Sequence, residues 1–224
     1  MSEEVCLPFP GPRLGSDEAG KGDYFGPLVV AAVFLADGPA QQLAALGLRE
    51  SKKVTDKRSH ELAQIIVGLC PHEVVEISPS RYNTLHAQMG NLNRLLAWAH
   101  ARAAENVLAR QPAPVLISDQ FGDPRYIEQA LMSRGRQVRL IQTPRAERDP
   151  AVAAASVLAR AAFLQALARL SREVGVTLPK GATHVLPVAR ALYRQGGMAL
   201  LSRVAKVHFR TTAEVIGESA AGQQ

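Results

Sequence analysis

The sequence predicts an α/β domain built on a central β-sheet with helices on its faces. Gly26 to Leu35 is a continuous apolar run rich in β-branched residues, as in a strand covered on both faces. Asn91 to Arg110 is rich in Ala and Leu, with apolar residues at helical spacing. Strand-like and helix-like segments alternate along the chain without an internal repeat or a long linker, which favours one domain.

The first third of the chain predicts a hairpin, a helix and a strand. A short strand at Leu14 to Asp17 leads through Glu18 to Phe25 into the apolar strand, and the glycines of this connection mark a tight turn where a ligand can approach the backbone. Thr55 predicts the N-cap of a helix that reaches about Leu69, because a threonine oxygen accepts from the unpaired N–H groups of a first turn. Glu73 to Ile77 predicts the next strand.

The rest of the chain predicts two short strands and a helical C-terminal part. The strands are Val115 to Ile117 and Val138 to Ile141. A long alanine-rich helix follows from about Ala151 to Val174, and Gly175 and Pro179 end it. Val185 to Ala205 predicts one or two shorter helices, and we expect the last residues to fray.

Composition indicates a basic globular protein. The 224 residues include 47% hydrophobic and 21% charged residues, enough apolar material to bury a sizeable core. Subtracting 20 acidic from 26 basic residues gives a formal net charge of +6, which favours a polyanionic partner such as nucleic acid. Arginines concentrate after residue 130, with few acids between them.

Composition also limits where the protein works. We find no apolar run near the roughly 18 residues that span a bilayer, so we expect no membrane-spanning segment. The acidic start lacks the order of a secretory signal, which predicts a cytoplasmic protein. Cys6 and Cys70 are too few for a disulfide framework or a four-thiolate zinc site, so both are interpreted as reduced thiols.

Three acids stand at predicted strand ends. Asp17 and Glu18 close the first strand, and Asp119 follows the buried-looking Val115 to Ile117 strand. Ligand-binding residues in α/β sheets favour such ends, although solvated turn acids, or an N-cap for Asp119, are open alternatives. Because neighbouring strand residues point to opposite faces, Asp17 and Glu18 serve one site only where the strand ends or where they flank a metal from two sides.

Two more acids precede the long alanine-rich helix. Asp149 suits its N-cap, with Pro150 at the first helical position, and we expect Asp149→Asn to cost little because asparagine caps as well. Glu147 has no capping role. Carboxylates gathered in a basic protein indicate hard divalent cations that neutralise phosphate.

The longest motif of the chain is Gly15-Ser-Asp-Glu-Ala-Gly-Lys-Gly-Asp-Tyr-Phe-Gly-Pro-Leu-Val29. It resembles the signature of the type 2 ribonucleases H, and its Gly-Lys-Gly-Asp-Tyr-Phe-Gly form resembles ribonuclease HIII in particular. Others follow in the family's order, from Gly15 to Thr212: Glu50-Ser-Lys-Lys53, Gly90-Asn-Leu-Asn93, Leu96-Ala-Trp-Ala-His100, Asp119-Gln-Phe121, Ala146-Glu147, Ala153-Ala-Ala-Ser-Val-Leu-Ala-Arg160, Leu178-Pro-Lys-Gly-Ala182 and Ala205-Lys-Val-His-Phe209.

The resemblance implies an RNase H-like fold with a central mixed β-sheet. It implies a catalytic domain over residues 14–212, with flexible termini at 1–13 and 213–224. It also implies a monomer that cuts RNA endonucleolytically in RNA–DNA hybrids, leaving 5′-phosphate and 3′-hydroxyl ends, with two Mg²⁺ or Mn²⁺ ions per site. The catalytic and metal-binding carboxylates it implies are Asp17, Glu18, Asp119 and Glu147.

The fourth carboxylate separates the two branches of the family. Ribonuclease HII usually has Asp there, so Glu147 favours HIII. Its spacing to the Ala-Ala-Ala-Ser segment is about one residue short, which leaves Asp149 as an alternative ligand.

The expected substrate contacts lie in five places. Gly20, Lys21 and Gly22 are expected along the minor groove of the hybrid, where glycine backbone reaches 2′-hydroxyls. The remaining candidates are polar or basic residues: Ser51, Lys52, Lys53, Asn91, Asn93, Lys180 and Lys206. A solvated loop is the alternative for the lysine pair, and a helix cap is the alternative for Asn93. His100, a lone histidine on an Ala-rich helix, is interpreted as structural.

Two departures from the family pattern and three rival interpretations remain. Ribonuclease HIII usually carries an N-terminal substrate-binding domain, and fourteen residues precede Gly15. Lys206 to Phe209 lacks the junction tyrosine of ribonuclease HII, which argues against efficient cutting at a single embedded ribonucleotide. The nearest rival is nonetheless a ribonuclease HII. A non-catalytic hybrid-binding protein and a basic scaffold protein without a nucleic-acid role are the others.

Overall fold

The computed structural model describes residues 9–48 and 55–221. Its strands are β1 (Arg13–Ala19), β2 (Leu28–Leu35), β3 (His72–Ile77), β4 (Val115–Asp119) and β5 (Arg139–Thr143). They form a mixed five-stranded sheet in the order β3-β2-β1-β4-β5. β4 lies parallel to both β1 and β5. The predicted α/β fold with a mixed sheet is therefore confirmed.

Helices make up most of the remaining described chain. They are α1 (Asp37–Ala45), α2 (Asp56–Leu69), α3 (Pro79–Met89), α4 (Leu92–Leu108), α5 (Arg125–Ala130), α6 (Pro150–Val174), α7 (Leu186–Val204) and α8 (Arg210–Ala221). The predicted N-cap of α2 is confirmed, because the Thr55 hydroxyl accepts from Arg58 N at 3.2 Å. α7 is interrupted at Gly196 and Gly197, whose backbone is not helical.

The structure extends the prediction at several places. α1, α3 and α5 were not predicted. α8 was not predicted either; it continues to Ala221 and buries Val215 completely, while the expected flexibility from residue 213 stays a prediction. The helix contains a buried anchor that a short polar-looking tail did not reveal.

The described residues fall into two compact units. The first comprises the described residues up to Glu18 together with Val30–Val75 and Asn91–Ala161. The second comprises Ala19–Val29, Glu76–Gly90 and the described residues from Ala162 onward. The prediction of one catalytic domain over residues 14–212 stays a prediction.

Glycine at position 15 allows β1 to pack directly on the start of α6. A Cβ at Gly15 would lie 2.3 Å from both the Ala151 carbonyl carbon and the Val152 nitrogen. A core cluster beside this contact is formed by Val115, Ile117, Ile141, Ala146 and Val152, with Phe9 packed against it. The end of β1 is thereby fixed against α6.

α6 is the one described helix that is long and apolar enough to cross a membrane by length and composition. Its most apolar window has a mean hydropathy of 1.7, and 67% of that window is buried inside the protein. Burial of this kind is typical of a core helix, so we interpret α6 as the central helix of the fold. The sequence expectation of no such segment overlooked it because arginines interrupt its run of alanines and leucines.

Candidate active site

Asp17 and Asp119 lie at the same end of two neighbouring parallel strands. In the β1–β4 pair Ser16 is opposite Ser118, and each aspartate is the next residue along its strand. Neighbouring strands are about 4.8 Å apart, so the two backbones are close at this edge. Both aspartates are partly exposed, whereas Ser16 and Ser118 beneath them are buried.

Asp17 and Glu18 contact different helices. Asp17 Oδ1 accepts from the Glu18 amide at 2.9 Å, and the Asp17 carboxylate is also hydrogen-bonded by Ser156 of α6. Glu18 Oε2 lies 3.2 Å from His100 Nε2 on α4. The other His100 nitrogen, Nδ1, is 3.0 Å from Ser16 Oγ. The two acids thus point to opposite faces of β1, as strand alternation requires.

The electrostatics at Asp17 suit a cation. Burial, followed by the charge of Glu18, raises the pKa of Asp17 to about 6. The donors are carboxylate oxygens, which hard ions such as Mg²⁺ and Mn²⁺ prefer, and a bound cation would relieve the repulsion between the acids. Within residues 9–48 and 55–221 no three His, Cys, Asp or Glu side chains already surround a common point suitable for a metal ion. Glu18 contacts His100 through Oε2, and Asp119 accepts from the Ala146 amide through Oδ1.

The turn after β5 carries the predicted fourth carboxylate. Asp119 is paired with Thr143 in the β4–β5 register, and Asp119 Oδ1 accepts from the Ala146 amide at 3.1 Å. Ala146 begins the short 3₁₀ turn Ala146–Arg148, in which Glu147 is partly exposed. Glu147 therefore directly follows Ala146, whose amide donates to Asp119.

Four hydrogen bonds hold the carboxylate of Asp149 inside the protein. Arg13 Nε donates to both its carboxylate oxygens at 2.9 and 2.8 Å, and the amides of Phe9 and Ala151 donate to them as well. Asp149 is completely buried. Its predicted capping of α6 is confirmed by the Ala151 amide. Because Arg13 would lose a buried countercharge, we expect Asp149→Asn to destabilise the protein, which capping alone did not suggest. These contacts favour Glu147 over Asp149 as the fourth ligand.

The glycine turn belongs to the second unit, where the C-terminal part holds it. Gly20 has a φ of 85°, and a Cβ there would lie 2.2 Å from the Pro27 carbonyl oxygen. A Cβ at Gly22 would have no described atom within 4 Å. The turn is anchored at Asp23, whose Oδ1 accepts from Gly181 N at 2.6 Å, and at Tyr24, whose amide donates to the Gly181 carbonyl at 2.9 Å.

Lys206 stabilises the same turn from inside, which corrects its predicted role. It is fully buried, and its Nζ donates to the carbonyls of Asp23 at 2.8 Å and Gly26 at 2.7 Å. Burial lowers the pKa of Lys206 to about 7. The prediction that this ammonium contacts nucleic acid is wrong, because the group is enclosed by backbone carbonyls and the ring of Tyr82.

The other predicted substrate residues differ in accessibility. Lys21 and Lys180 are exposed, and Lys180 directly precedes Gly181. Asn91 is the N-cap of α4 through Asn93 N (2.7 Å), and its Nδ2 donates to Tyr126 Oη (3.1 Å). Asn93, for which a cap was the alternative, has its side-chain amide against Gly122. The substrate contacts of both residues stay predictions. Ser51, Lys52 and Lys53 lie outside the described residues.

His208 belongs to a ring cluster in the second unit. Its ring stacks on the rings of His86 and Tyr82, with centroid-to-centroid distances of 4.2 Å and 5.5 Å. Burial, then the neighbouring His86 and Lys206, lower the pKa of His208 to about 4. The imidazole is therefore neutral at physiological pH and supplies no charge for a phosphate.

His100 and Ser156 contact two of the predicted carboxylates, which sequence reasoning did not reveal. His100, interpreted as structural, is fully buried and lies against Glu18. Ser156 is in the quoted Ala-Ala-Ala-Ser segment but was given no role. The available signal was the burial of a polar side chain in an alanine-rich helix, which requires a hydrogen-bond partner nearby.

Comparisons with known proteins agree with this fold. The family model described as ribonuclease HII matches residues 14–212. A ribonuclease HIII of Protochlamydia amoebophila is 40% identical over 92% of this chain and 69% of its own length. A ribonuclease HIII of Chlamydia pneumoniae is 43% identical over 91% of this chain and 70% of its own. The crystal structure of Bst-RNase HIII in complex with Mn²⁺ superposes with a TM-score of 0.84 at 33% identity, covering 92% of this chain and 70% of that one.

The fold and the relatives define a divalent-metal-dependent ribonuclease H. The chain belongs to the ribonuclease HII family and, within it, to the ribonuclease HIII branch. The predicted family, fold and enzyme class are confirmed.

Proposed function

We propose that the protein hydrolyses the RNA strand of RNA–DNA hybrids endonucleolytically and leaves 5′-phosphate and 3′-hydroxyl ends. One observation carries the proposal: Asp17 and Asp119 lie at the same end of two adjacent parallel strands, and Glu18 follows Asp17 in the chain. Glu147, on the turn whose Ala146 amide contacts Asp119, completes the set.

These residues would hold Mg²⁺ or Mn²⁺. The bound ions would supply a water of lowered pKa and positive charge for the leaving oxygen. Ser156 and the Glu18 amide orient Asp17, the Ala146 amide orients Asp119, and His100 orients Glu18. Such support fixes the carboxylates before substrate arrives, and it lowers the reorganisation needed for the reaction.

The glycine turn supports recognition of RNA. The backbone at Gly22 is open to solvent, so it can approach 2′-hydroxyl groups that DNA lacks. Lys21 and Lys180 are exposed and suited to phosphates. All four carboxylates come from one chain, which supports a monomer. A nucleic-acid substrate and the buried free thiol of Cys70 support a cytoplasmic location.

Three labelled duplexes test the proposal: an RNA–DNA hybrid, an all-DNA duplex, and a DNA duplex with one ribonucleotide, each with and without Mg²⁺. We expect metal-dependent cutting of the hybrid, little cutting at the lone ribonucleotide, and none of DNA. Equal or better cutting at the lone ribonucleotide would favour a ribonuclease HII activity. Binding without cutting under all conditions would favour the non-catalytic alternative.

A further inference from the structure

Arg145 is the single non-glycine residue with positive φ among residues 9–48 and 55–221. Its φ is 59° and its ψ is 40°, the left-handed helical region. Any residue with a Cβ pays a steric cost there, which glycine avoids. The structure therefore retains an arginine where glycine would suit the backbone better.

The backbone conformation has a local purpose. Arg145 lies one residue beyond Pro144, which follows β5, and its carbonyl accepts from Arg148 N at 3.2 Å. The next amide, of Ala146, donates to Asp119 Oδ1. The left-handed turn thus directs this amide to a carboxylate and starts the turn that carries Glu147. Glycine would meet the same requirement, so the turn does not explain the arginine side chain.

The side chain has no function inside the described protein. The guanidinium of Arg145 is exposed and makes no hydrogen bond or ion pair with residues 9–48 or 55–221. Arg148, on the other side of Glu147, is also exposed and also lacks a partner within the described chain. A planar guanidinium fork fits two phosphate oxygens and stays charged at any physiological pH.

We propose that Arg145 is a substrate-binding residue whose guanidinium donates to a backbone phosphate of the nucleic acid beside the carboxylate site. This inference rests on the proposed function. The unfavourable backbone conformation is retained because the side chain binds substrate. Stability and substrate affinity are therefore opposed at this position, which a purely structural role would not produce.

Arg145→Gly separates the two effects. We expect its melting temperature without substrate to rise by about 2 °C, because the steric cost is removed. Its affinity for a fluorescein-labelled RNA–DNA hybrid, measured by anisotropy without divalent cation so that no cutting occurs, should fall about tenfold or more. The slope of log affinity against log salt, between about 50 and 200 mM, should become shallower by about one phosphate contact.

Three further variants complete the test. Arg145→Ala should lose affinity as Arg145→Gly does, without gaining stability, and Arg145→Lys should keep the salt slope with reduced affinity. Arg139→Ala is the matched control, because it removes an exposed arginine from the opposite end of β5 and should change neither measurement. Equal affinity and slope for Arg145→Gly and Arg139→Ala, while the wild type cuts the hybrid, would overturn this inference alone. A wild type that does not cut or bind the hybrid would overturn the proposed function and the inference with it.

Discussion

His100 Nε2 on α4 lies 3.2 Å from Oε2 of Glu18 at the end of β1. The imidazole is completely buried, and its other nitrogen contacts Ser16 of the same strand. His100 thus connects two residues of one strand face and fixes the position of the Glu18 carboxylate.

We predict that His100→Leu weakens metal-supported cleavage by about 10- to 100-fold, as expected when a residue that orients a metal ligand is lost. His100→Gln, which keeps an N–H donor, should recover part of the loss. The Mg²⁺ concentration that half-saturates activity and the thermal shift on adding Mn²⁺ provide two measurements. An unchanged metal dependence in His100→Leu would show that the contact only fills space.

Neutralising Asp17 should abolish cleavage and stabilise the metal-free protein. Asp17→Asn removes a charged ligand, so we expect activity to fall more than about a hundredfold at saturating Mg²⁺, and we expect the same of Glu18→Gln and Asp119→Asn. Asp37→Asn, an exposed acid on α1, is the control. Near-normal cutting by any of the three variants would remove that residue from the metal site.

The stability effect at Asp17 has a defined pH window. The folded pKa of about 6 exceeds the usual 3.8, so ionised Asp17 is disfavoured by folding. This penalty is absent below about pH 4 and complete above about pH 6. In EDTA, the free energy of unfolding of Asp17→Asn should therefore exceed that of the wild type by about 1–2 kcal/mol at pH 8 and match it near pH 4. Urea unfolding at both pH values checks this, and a difference that is the same at both would contradict it.

The two acids after β5 should give opposite phenotypes. Glu147→Gln should lose cleavage with stability unchanged within about 0.5 kcal/mol, because the residue is partly exposed. Asp149→Asn should lower the free energy of unfolding by about 3–5 kcal/mol, because Arg13 keeps its charge in a buried place. Urea unfolding and a hybrid cleavage assay are run on both. A stable Asp149→Asn protein that cannot cut would move the fourth ligand to Asp149.

The two glycines of the turn should also differ. Gly22→Ala meets no protein atom within 4 Å, so the variant should fold normally yet cut the hybrid about ten- to a hundredfold more slowly by displacing substrate. Gly20→Ala should instead destabilise the protein by about 1–3 kcal/mol, because of its positive φ and the Pro27 carbonyl. Gly38→Ala, which also meets open space, is the control. Full activity in Gly22→Ala would mean that substrate does not approach this backbone.

Lys206→Met tests the buried ammonium. It leaves the carbonyls of Asp23 and Gly26 without a donor, so we expect a loss of about 3–5 kcal/mol in the free energy of unfolding. Arg203→Met makes the same charge change at an exposed position and should be close to neutral. Comparable urea midpoints for the two variants would rule out the proposed stabilising role of Lys206.

The elements most visible in the sequence were those with strong local patterns. The apolar run of β2 and the alanine- and leucine-rich α4 need no distant partner to be recognised. α3 was missed although Ser78, Pro79 and Gly90 are good end signals, because the polar residues between them hide the apolar periodicity. The strand-end carboxylates were predictable because parallel strands bring their ends together.

The errors at the site come from contacts between residues far apart in sequence. The basic sequence around Lys206 predicts a surface residue. The neighbouring residues do not indicate that Lys206 donates to a carbonyl 180 positions earlier in the chain. Asp149 reads as a simple cap because Arg13 is 136 residues away. The contact of His100 with Glu18 was not foreseen because the two residues are 82 positions apart. Sequence periodicity describes a residue's own element, and these roles depend on the tertiary fold.

The contact between Lys206 and the Asp23 carbonyl also constrains biosynthesis. These residues are 183 positions apart, and Gly181 and Thr212, which contact Asp23 and Tyr24, are made late as well. At translation rates of about 5–20 residues per second, the ribosome needs roughly 10–40 s after Asp23 to supply Lys206. A nascent chain therefore exposes its glycine turn without support during this interval. A product that terminated before Lys206 would therefore leave the carbonyls of Asp23 and Gly26 without this donor.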